Sequence, residues 1–226
     1  MKTVLVTGGT TRLGKCIADH LRATGWRVLT TSHRPDAGAD FCCDFSSLDN
    51  LPALMEAVRR KLDGCLPDAL VNNAALYRPS SGQEESSDAI RTVNCEAPIR
   101  LARWLGTEPA GGVRSVVHIL DAATLSAPAA LKAGSYGESK FLLGGRLSSL
   151  VRELAPHVRV NAVAPGCVLP PVGVREKAAP RLLDYPPTAA DVAQAVAFLL
   201  TNEALTGVVL PVDCGQALLN GGWMVI

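Results

Sequence analysis

The sequence predicts a single α/β domain in which helices cover both faces of a doubly wound parallel sheet. Two observations support this prediction. Short β-branched and apolar runs alternate with helix-length amphipathic segments along the whole chain. Each apolar run is separated from the next by enough residues for a helical crossover, which is typical of parallel strands. The 226 residues suit one such domain with a sizeable core.

The elements follow from the period of the apolar residues and from the positions of glycine and proline. Strands are expected at 3–7, 27–31, 69–72, 115–120, 158–163 and 208–212. Helices are expected at 13–24, 49–62, 86–105 with a bend at Pro98, 136–154 and 189–200. The segment 167–187 contains five prolines, which predicts a loop rather than a long helix.

Composition excludes several classes of function. The net charge is +1 and the basic residues form no stripe, so we expect no nucleic-acid partner. No apolar run approaches the roughly 18 residues that span a bilayer, and we expect neither a membrane segment nor a signal peptide. The seven cysteines are irregularly spaced and form no Cys-x-x-Cys pattern. They therefore predict reduced thiols, a cytoplasmic location and no metal site.

A glycine-rich turn follows the first strand and opens directly into the first helix. Its sequence is Thr7-Gly8-Gly9-Thr10-Thr11-Arg12-Leu13-Gly14. Glycine permits a tight turn, and the amino end of a helix offers N–H groups and a positive dipole to a pyrophosphate. We therefore expect a Rossmann-type dinucleotide site lined by Gly8, Thr11, Arg12, Leu13 and Gly14.

The end of the second strand discriminates between the two nicotinamide cofactors. An NAD site usually places an acid there to bind the ribose 2′-hydroxyl. This strand ends in Ser32, His33 and Arg34, and no acid occurs before Asp36. These three residues, with Arg12 in the neighbouring turn, favour a 2′-phosphate and therefore NADP(H).

Five motifs together resemble those of the short-chain dehydrogenase/reductases, in order and over nearly the whole chain. They are TGGTTRLG, Asn72-Asn73-Ala74-Ala75, Asn94, Tyr136-Gly-Glu-Ser-Lys140 and Pro165-Gly166. The resemblance implies that Tyr136 donates a proton and that Lys140 lowers the pKa of Tyr136 and holds the nicotinamide ribose. A residue pair four apart shares one helix face, and a nearby cation favours a tyrosinate. The resemblance further implies that Asn94 supports a proton-relay water. The remaining cofactor contacts that it implies are Asp44 and Phe45 at the adenine, Asn73, Ala74, Ala75, Pro165 and Gly166.

Two departures from the family pattern narrow the resemblance. Arg12 occupies the place of a glycine in the turn, and Asp121 occupies the place of the catalytic serine after the fifth strand. Both features occur in the pteridine reductase subgroup, which also has an aromatic residue at the position of Tyr77. The resemblance implies hydride transfer from NADPH to a dihydropterin or dihydrofolate, with Tyr77 stacking on the pterin. The substrate contacts that we expect are Tyr77, Asp121, Tyr136 and Leu169.

Other interpretations stay open at this point. Asp121 precedes Tyr136 by fifteen residues, two more than is typical, so Asp121 could be a loop residue that caps a turn. Thr124 or Ser126 would then take the place of the serine, and the chain would reduce a ketone or a 3-oxoacyl group. A non-catalytic NADP(H)-binding sensor is a third possibility, although Tyr136 and Lys140 argue against it. His118 is expected to be a structural histidine with its hydrogen bonds satisfied.

Two further expectations concern the substrate loop and assembly. Within 167–187, the apolar side chains of Leu169, Val172 and Val174 could line the substrate site. Arg175 and Arg181 could bind an acidic substrate tail. The family commonly forms dimers or tetramers, so a homo-oligomer is expected, and Trp223 in the carboxyl-terminal tail could lie at its interface.

Overall fold

The predicted parallel sheet is confirmed in the computed structural model, which describes residues 1–77, 87–108, 111–169 and 180–219. In these residues the sheet has seven strands, all parallel, in the order β3-β2-β1-β4-β5-β6-β7. The strands are β1 (Thr3–Val6), β2 (Arg27–Ser32), β3 (Phe41–Cys42), β4 (Ala69–Asn72), β5 (Arg114–Ile119), β6 (Val158–Pro165) and β7 (Val209–Val212).

Helices connect the strands and cover both faces of the sheet. They are α1 (Arg12–Ala23), α2 (Leu51–Lys61), α3 (Ser87–Arg91), α4 (Ala97–Leu105), α5 (Ala127–Lys132), α6 (Gly134–Gly145), α7 (Leu147–Leu154), α8 (Ala189–Thr201) and α9 (Gln216–Leu219). A π-helical turn, Thr92–Glu96, joins α3 to α4, and 3₁₀ turns occupy Leu48–Asn50 and Ala122–Thr124. In the described part of the chain, no helix is long and apolar enough to cross a membrane.

Two hydrophobic cores lie on opposite faces of the sheet, because successive residues of a strand point to opposite sides. On one face, strand residues pack with α2, α4 and α7; this cluster includes Leu5, Leu54, Leu70, Leu101, Val116 and Leu150. On the other face, strand residues pack with α1 and α8; this cluster includes Val4, Val6, Ile17, Val117, Val163 and Val196. Both faces of the sheet are therefore covered by helices.

Two predicted helices are interrupted. The expected helix at 86–105 is broken before Pro98 rather than at it, since the π-helical turn Thr92–Glu96 intervenes and Pro98 lies in the first turn of α4. The expected helix at 136–154 begins at Gly134 and is divided at Arg146 into α6 and α7. The short helix α5 was not expected.

The strand order reverses between β1 and β4. The chain runs from β1 to β2 and β3 on one side, and then crosses to β4 and the later strands on the other. Ligands of open parallel sheets bind at the carboxyl ends of the strands near such a reversal. The loops after β1, β4, β5 and β6 are therefore where a functional site is expected.

Candidate active site

Hydrogen bonds join the ends of β1 and β4 into one framework. The hydroxyl of Thr7 accepts from the backbone N–H groups of Asn73 and Ala74, at 3.0 Å each. In return, the Asn73 amide donates to the carbonyl oxygens of Thr7 at 2.9 Å and Gly8 at 3.2 Å. Thr7 is buried, and the sequence reasoning did not single it out. The framework fixes the distance between the glycine-rich turn and the loop after β4.

The glycines of the turn are required by space as well as by backbone conformation. Gly8 has φ +63°, and a Cβ atom there would lie 3.1 Å from the Cα of Ala74. A Cβ atom on Gly14 would lie 2.1 Å from the carbonyl oxygen of Gly8. Any side chain at position 14 must therefore displace the turn.

The first helix opens toward the same edge of the sheet. Thr11 is the N-cap residue of α1, and its side chain makes no capping hydrogen bond. The first N–H groups of a helix have no partner within the helix, so those at the start of α1, including Leu13, suit a pyrophosphate. Arg12 has φ +50°, the left-handed conformation that favours glycine. Its guanidinium donates to the Leu169 carbonyl oxygen at 3.4 Å, which joins the turn to the chain after β6.

The end of β2 presents a basic side chain to solvent. The buried hydroxyl of Ser32 accepts from the Arg34 N–H at 3.0 Å, while His33 is exposed. The exposed Arg34 guanidinium pairs with Asp36 at 3.0 Å. An exposed ion pair of this kind contributes little, so Arg34 can bind a phosphate without a large loss.

The residues predicted at the adenine lie after β3. The Asp44 carboxylate accepts from the Ser46 N–H at 2.9 Å, and Asp44 is exposed. The Phe45 side chain is buried in the core, so only its main chain is available to an adenine. From the sequence alone, Asp44 and Phe45 were expected to contact the adenine in the same way.

The other predicted cofactor contacts also lie at strand ends. Ala75 is exposed directly after the framework formed by Asn73 and Ala74. Pro165 ends β6, and the Gly166 N–H donates to the carbonyl oxygen of Val212 at 2.9 Å. A Cβ atom on Gly166 would lie 2.9 Å from the Cα of Asp213, so this position is closely packed.

The structure brings Asp121 and Tyr136 into contact. The Tyr136 hydroxyl donates to Oδ2 of Asp121 at 3.1 Å. The other carboxylate oxygen accepts from the Ala123 N–H at 2.8 Å and caps the 3₁₀ turn, so Asp121 both contacts Tyr136 and caps a turn. The buried Thr124 hydroxyl donates to the Asp121 carbonyl oxygen at 3.0 Å. Ser126 is the N-cap residue of α5, the helix that accounts for the long spacing.

Burial keeps the Tyr136 phenol protonated. The pKa of Tyr136 is raised well above 10, first by burial and then by the neighbouring Asp121 carboxylate. Lys140 lies on the same helix, but its ammonium donates to the Ile119 carbonyl oxygen at 2.8 Å. Lys140 is not among the groups that shift the pKa of Tyr136 here, so the expectation that it lowers this pKa stays a prediction. Burial in turn lowers the pKa of Lys140 to about 8.

Asn94 connects the loop after β4 to α6. It is fully buried in the π-helical turn. Its Oδ1 accepts from the Leu76 N–H at 2.7 Å, and its Nδ2 donates to the Leu76 carbonyl oxygen at 2.9 Å and to the Ser139 hydroxyl at 3.0 Å. Sequence reasoning missed Ser139, because a serine within a helix carries no signal of a long-range partner.

Tyr77 follows Leu76 and lies at the same site. Its ring contacts the ring of Tyr136 edge to face, with the centroids 4.9 Å apart and an interplanar angle of 87°. Tyr77 is 48% exposed, so one part of its ring is available to a ligand. Leu169 is half-exposed and is joined to Arg12, at the start of the expected substrate loop.

Several expectations lie outside the described residues. They concern Val172, Val174 and Arg175 of the substrate loop and Trp223 in the tail. Across 1–77, 87–108, 111–169 and 180–219, no three metal-ligating side chains cluster.

Comparisons with known proteins agree with this architecture. A family model described as short chain dehydrogenase matches residues 2–180. Protein FixR from Bradyrhizobium diazoefficiens is 30% identical over an alignment that covers 96% of this chain and 87% of that protein. Dihydromonapterin reductase from Klebsiella pneumoniae is 27% identical over 96% of this chain and 97% of its own. The structure of FolM alternative dihydrofolate reductase 1 from Brucella canis complexed with NADP has a TM-score of 0.78, at 27% identity over 99% and 96% of the two chains.

The fold, the order of the motifs and the extent of these matches define the class. The chain belongs to the short-chain dehydrogenase/reductase family, and it is an oxidoreductase of that family. The predicted family and the predicted Rossmann-type sheet are both confirmed.

Proposed function

We propose that this enzyme uses NADPH to reduce a pterin-type substrate, a dihydropterin or dihydrofolate, to its tetrahydro form. The observation that carries the proposal is the 3.1 Å hydrogen bond between the Tyr136 hydroxyl and the Asp121 carboxylate. It places a proton donor and a charged acceptor side by side after β5. The similar dihydromonapterin and alternative dihydrofolate reductases support the same substrate class.

NADP(H) is the cofactor. The solved Brucella reductase of the same fold contains NADP, and β2 of this chain ends in Arg34 without an acid before Asp36. The residues proposed to contact it are Gly8, Thr11, Arg12, Leu13, Gly14, Ser32, His33, Arg34, Asp44, Phe45, Asn73, Ala74, Ala75, Tyr136, Lys140, Pro165 and Gly166. When bound, NADPH supplies a hydride to the carbon of a C=N bond.

The chain's own residues would manage the proton that the nitrogen of that bond must gain. The Tyr136 phenol is held protonated and is the proposed donor. Asp121 can accept hydrogen bonds from the ring N–H and amino groups of a pterin, which a serine hydroxyl satisfies less well. A ketone offers no such donor, so a carboxylate at this position favours the pterin.

Tyr77 would provide an aromatic surface for the flat substrate. Its ring already contacts the ring of Tyr136 at 4.9 Å, so no second ring fits between the two tyrosines. The substrate would therefore lie on the exposed side of Tyr77, with Leu169 nearby at the start of the substrate loop. Asn94 would hold Leu76 and thereby Tyr77 in place.

The test mixes the enzyme and NADPH with dihydrobiopterin, dihydromonapterin, dihydrofolate and two β-keto esters, and follows the absorbance of the reduced nicotinamide. Asp121→Asn keeps the size of the side chain but removes its charge, and Thr124→Val removes only the hydroxyl that the alternative requires. We expect turnover of pterins alone, lowered about 10²–10⁴-fold in Asp121→Asn and little changed in Thr124→Val.

The opposite pattern would exclude the pterin proposal. Turnover of keto esters that survives Asp121→Asn would identify a ketone or 3-oxoacyl reductase. Its loss in Thr124→Val would assign the serine's role to Thr124, and its survival there would leave Ser126. NADPH binding with no oxidation by any substrate of the panel would instead favour the non-catalytic sensor. Circular dichroism of each variant separates loss of activity from loss of fold.

The proposal also includes the cellular location of the protein and its assembly. None of the seven cysteines forms a disulfide, which supports a reducing, cytoplasmic location. A homo-oligomer, dimer or tetramer, stays a prediction, and the exposed side chains of Phe141 and Leu142 on α6 support it.

A further inference from the structure

We propose that Ser139 is a positioning residue that holds the acid Tyr136 and the substrate platform Tyr77 at a fixed separation. The inference rests on the proposed function, because it concerns how that function's two tyrosines are placed. It assigns a role to a hydroxyl that touches neither the cofactor nor the substrate.

The connection consists of hydrogen bonds of ordinary length. The Ser139 hydroxyl donates to the Tyr136 carbonyl oxygen at 2.7 Å and accepts from Nδ2 of Asn94 at 3.0 Å. Asn94 holds both the N–H and the carbonyl oxygen of Leu76, at 2.7 and 2.9 Å. Tyr77 is the next residue along the chain.

Because the connection is buried, the loss of any of its hydrogen bonds should be costly. Ser139 is 1% exposed and Asn94 is 0% exposed, so water cannot replace a lost partner easily. The bond to Leu76 N–H fixes Oδ1 of Asn94 as the acceptor, which leaves both Nδ2 protons for Leu76 and Ser139. Removing the Ser139 hydroxyl leaves one of these protons unsatisfied inside the protein.

Lys140, the residue of α6 that is proposed to bind the cofactor, is held by a different contact. The Lys140 ammonium is tied to the Ile119 carbonyl oxygen at 2.8 Å and does not depend on Ser139. A change at Ser139 should therefore alter the gap between the two tyrosines without moving Lys140. This separates the proposed role from a general effect on α6.

Ser149→Ala provides a matched control. The Ser149 hydroxyl also donates to the carbonyl oxygen three residues earlier, that of Arg146, at 2.8 Å. Ser149 is exposed, and Asn94 is not its partner. It reproduces the local helix contact of Ser139 without the connection to the loop after β4.

The first measurement does not depend on activity. Hydrogen exchange at the Leu76 amide, read by mass spectrometry of the peptide containing it, reports whether Asn94 still holds the loop. We expect exchange about fivefold to tenfold faster in Ser139→Ala, the effect of losing one hydrogen bond's support, and no change in Ser149→Ala. Unchanged exchange in Ser139→Ala would overturn the inference whatever the substrate is.

The second measurement is a double-mutant cycle of Ser139→Ala and Tyr77→Ala on kcat/KM for the pterin, with NADPH affinity measured alongside. We expect Ser139→Ala to lower kcat/KM about tenfold, to leave NADPH affinity within twofold, and to have little further effect when Tyr77 is already alanine. Additive effects, or an equal loss of NADPH affinity, would show a merely structural serine. If the wild type reduces no pterin, the proposed function fails, and hydrogen exchange alone decides on Ser139.

Discussion

The side chain of Lys140 is buried and that of Tyr136 is partly buried, and removal from water favours the neutral form of each. For Tyr136 this raises the pKa well above 10, and the Asp121 carboxylate raises it further. For Lys140 it lowers the pKa to about 8, and Asp121 only partly offsets the effect. The phenol is thus protonated at neutral pH, and the lysine can lose its charge in mildly alkaline solution.

The groups around Lys140 leave few other sources of pH dependence in that range. Burial raises the pKa of the Cys95 thiol. His118 has a pKa lowered to about 3 by burial and by Lys140. The expectation that the hydrogen bonds of His118 are satisfied is wrong in part, since in the described residues its Nε2 has no partner and Nδ1 faces the Asn72 amide at 3.2 Å. Because its pKa is so low, the His118 imidazole stays neutral throughout the working range.

We predict that kcat/KM for NADPH falls as the pH rises through about 8, because Lys140 then loses the charge that would hold the cofactor. Since kcat/KM reports the free enzyme, the midpoint should follow the lowered pKa of Lys140. Initial rates between pH 6 and 10 measure it. Lys132→Met, a change of an exposed lysine nearby on α5, should keep the same profile. A profile that stays flat to pH 10 would contradict the prediction.

At the scale of elements, β6 holds the end of α8 through a buried arginine. The Arg159 guanidinium donates to the carbonyl oxygens of Leu199 at 3.1 Å, Leu200 at 3.0 Å and Leu205 at 2.7 Å. These include carbonyls of the last turn of the helix, which have no partner within it. The positive charge also lies at the negative end of the helix dipole.

Replacing this arginine should loosen α8 from the sheet. We expect Arg159→Met to lower the free energy of unfolding by ~3 kcal/mol, because the buried carbonyl oxygens of Leu199 and Leu200 lose this donor, while that of Leu205 keeps the Asn161 amide. Arg103→Met is the control, since Arg103 is exposed and pairs with Glu153, and it should cost less than about 1 kcal/mol. Urea unfolding followed by circular dichroism measures both. Equal losses in the two variants would mean that Arg159 does not anchor the helix.

Apolar strands and long amphipathic helices could be predicted from the sequence, and short helical segments could not. Strand β4 was predicted with its observed bounds, and α8 lacked only its last residue. Helix α5 is six residues long and begins with Ala-Pro, too short for an apolar period. The π-helical turn Thr92–Glu96 has no sequence pattern of its own, because its packing against α6 determines it.

In the site, too, contacts that follow from the order of the motifs could be predicted, and contacts between distant parts of the chain could not. The order of motifs placed Asp121 and Tyr136 at one edge of the sheet, and their contact follows from it. The partners of Thr7 and Ser139 could not be predicted, since both hydroxyls bind groups far away in sequence. Lys140 was assigned to Tyr136 because the two share a helix face, but a main-chain carbonyl of β5 competes for its ammonium.

At the scale of the whole molecule, the cofactor is proposed to bind across the reversal of the sheet between β1 and β4. Its contacts would then come from the ends of five strands, β1, β2, β3, β4 and β6, from the start of α1 and from α6. A ligand that binds only the folded chain raises its stability in proportion to the logarithm of ligand concentration over Kd. NADPH should therefore stabilise the fold as a whole, and the choice between NADPH and NADH should depend on the end of β2.

We expect NADPH at 100 times its Kd to add about 2.7 kcal/mol, which is roughly 5–10 °C in Tm for a chain of this size. NADH at the same concentration should add less, because Arg34 has no 2′-phosphate to bind. Arg34→Ala should weaken NADPH about 10–100-fold and reduce its stabilisation to about 1 kcal/mol, while the effect of NADH stays the same. Arg27→Ala changes an exposed arginine at the opposite end of the same strand, and it should leave both shifts as they are. Thermal unfolding of the wild type and both variants with each nucleotide measures these six cases. If NADH stabilised the wild type as much as NADPH, or if Arg34→Ala weakened both nucleotides equally, the 2′-phosphate would not be bound at Arg34.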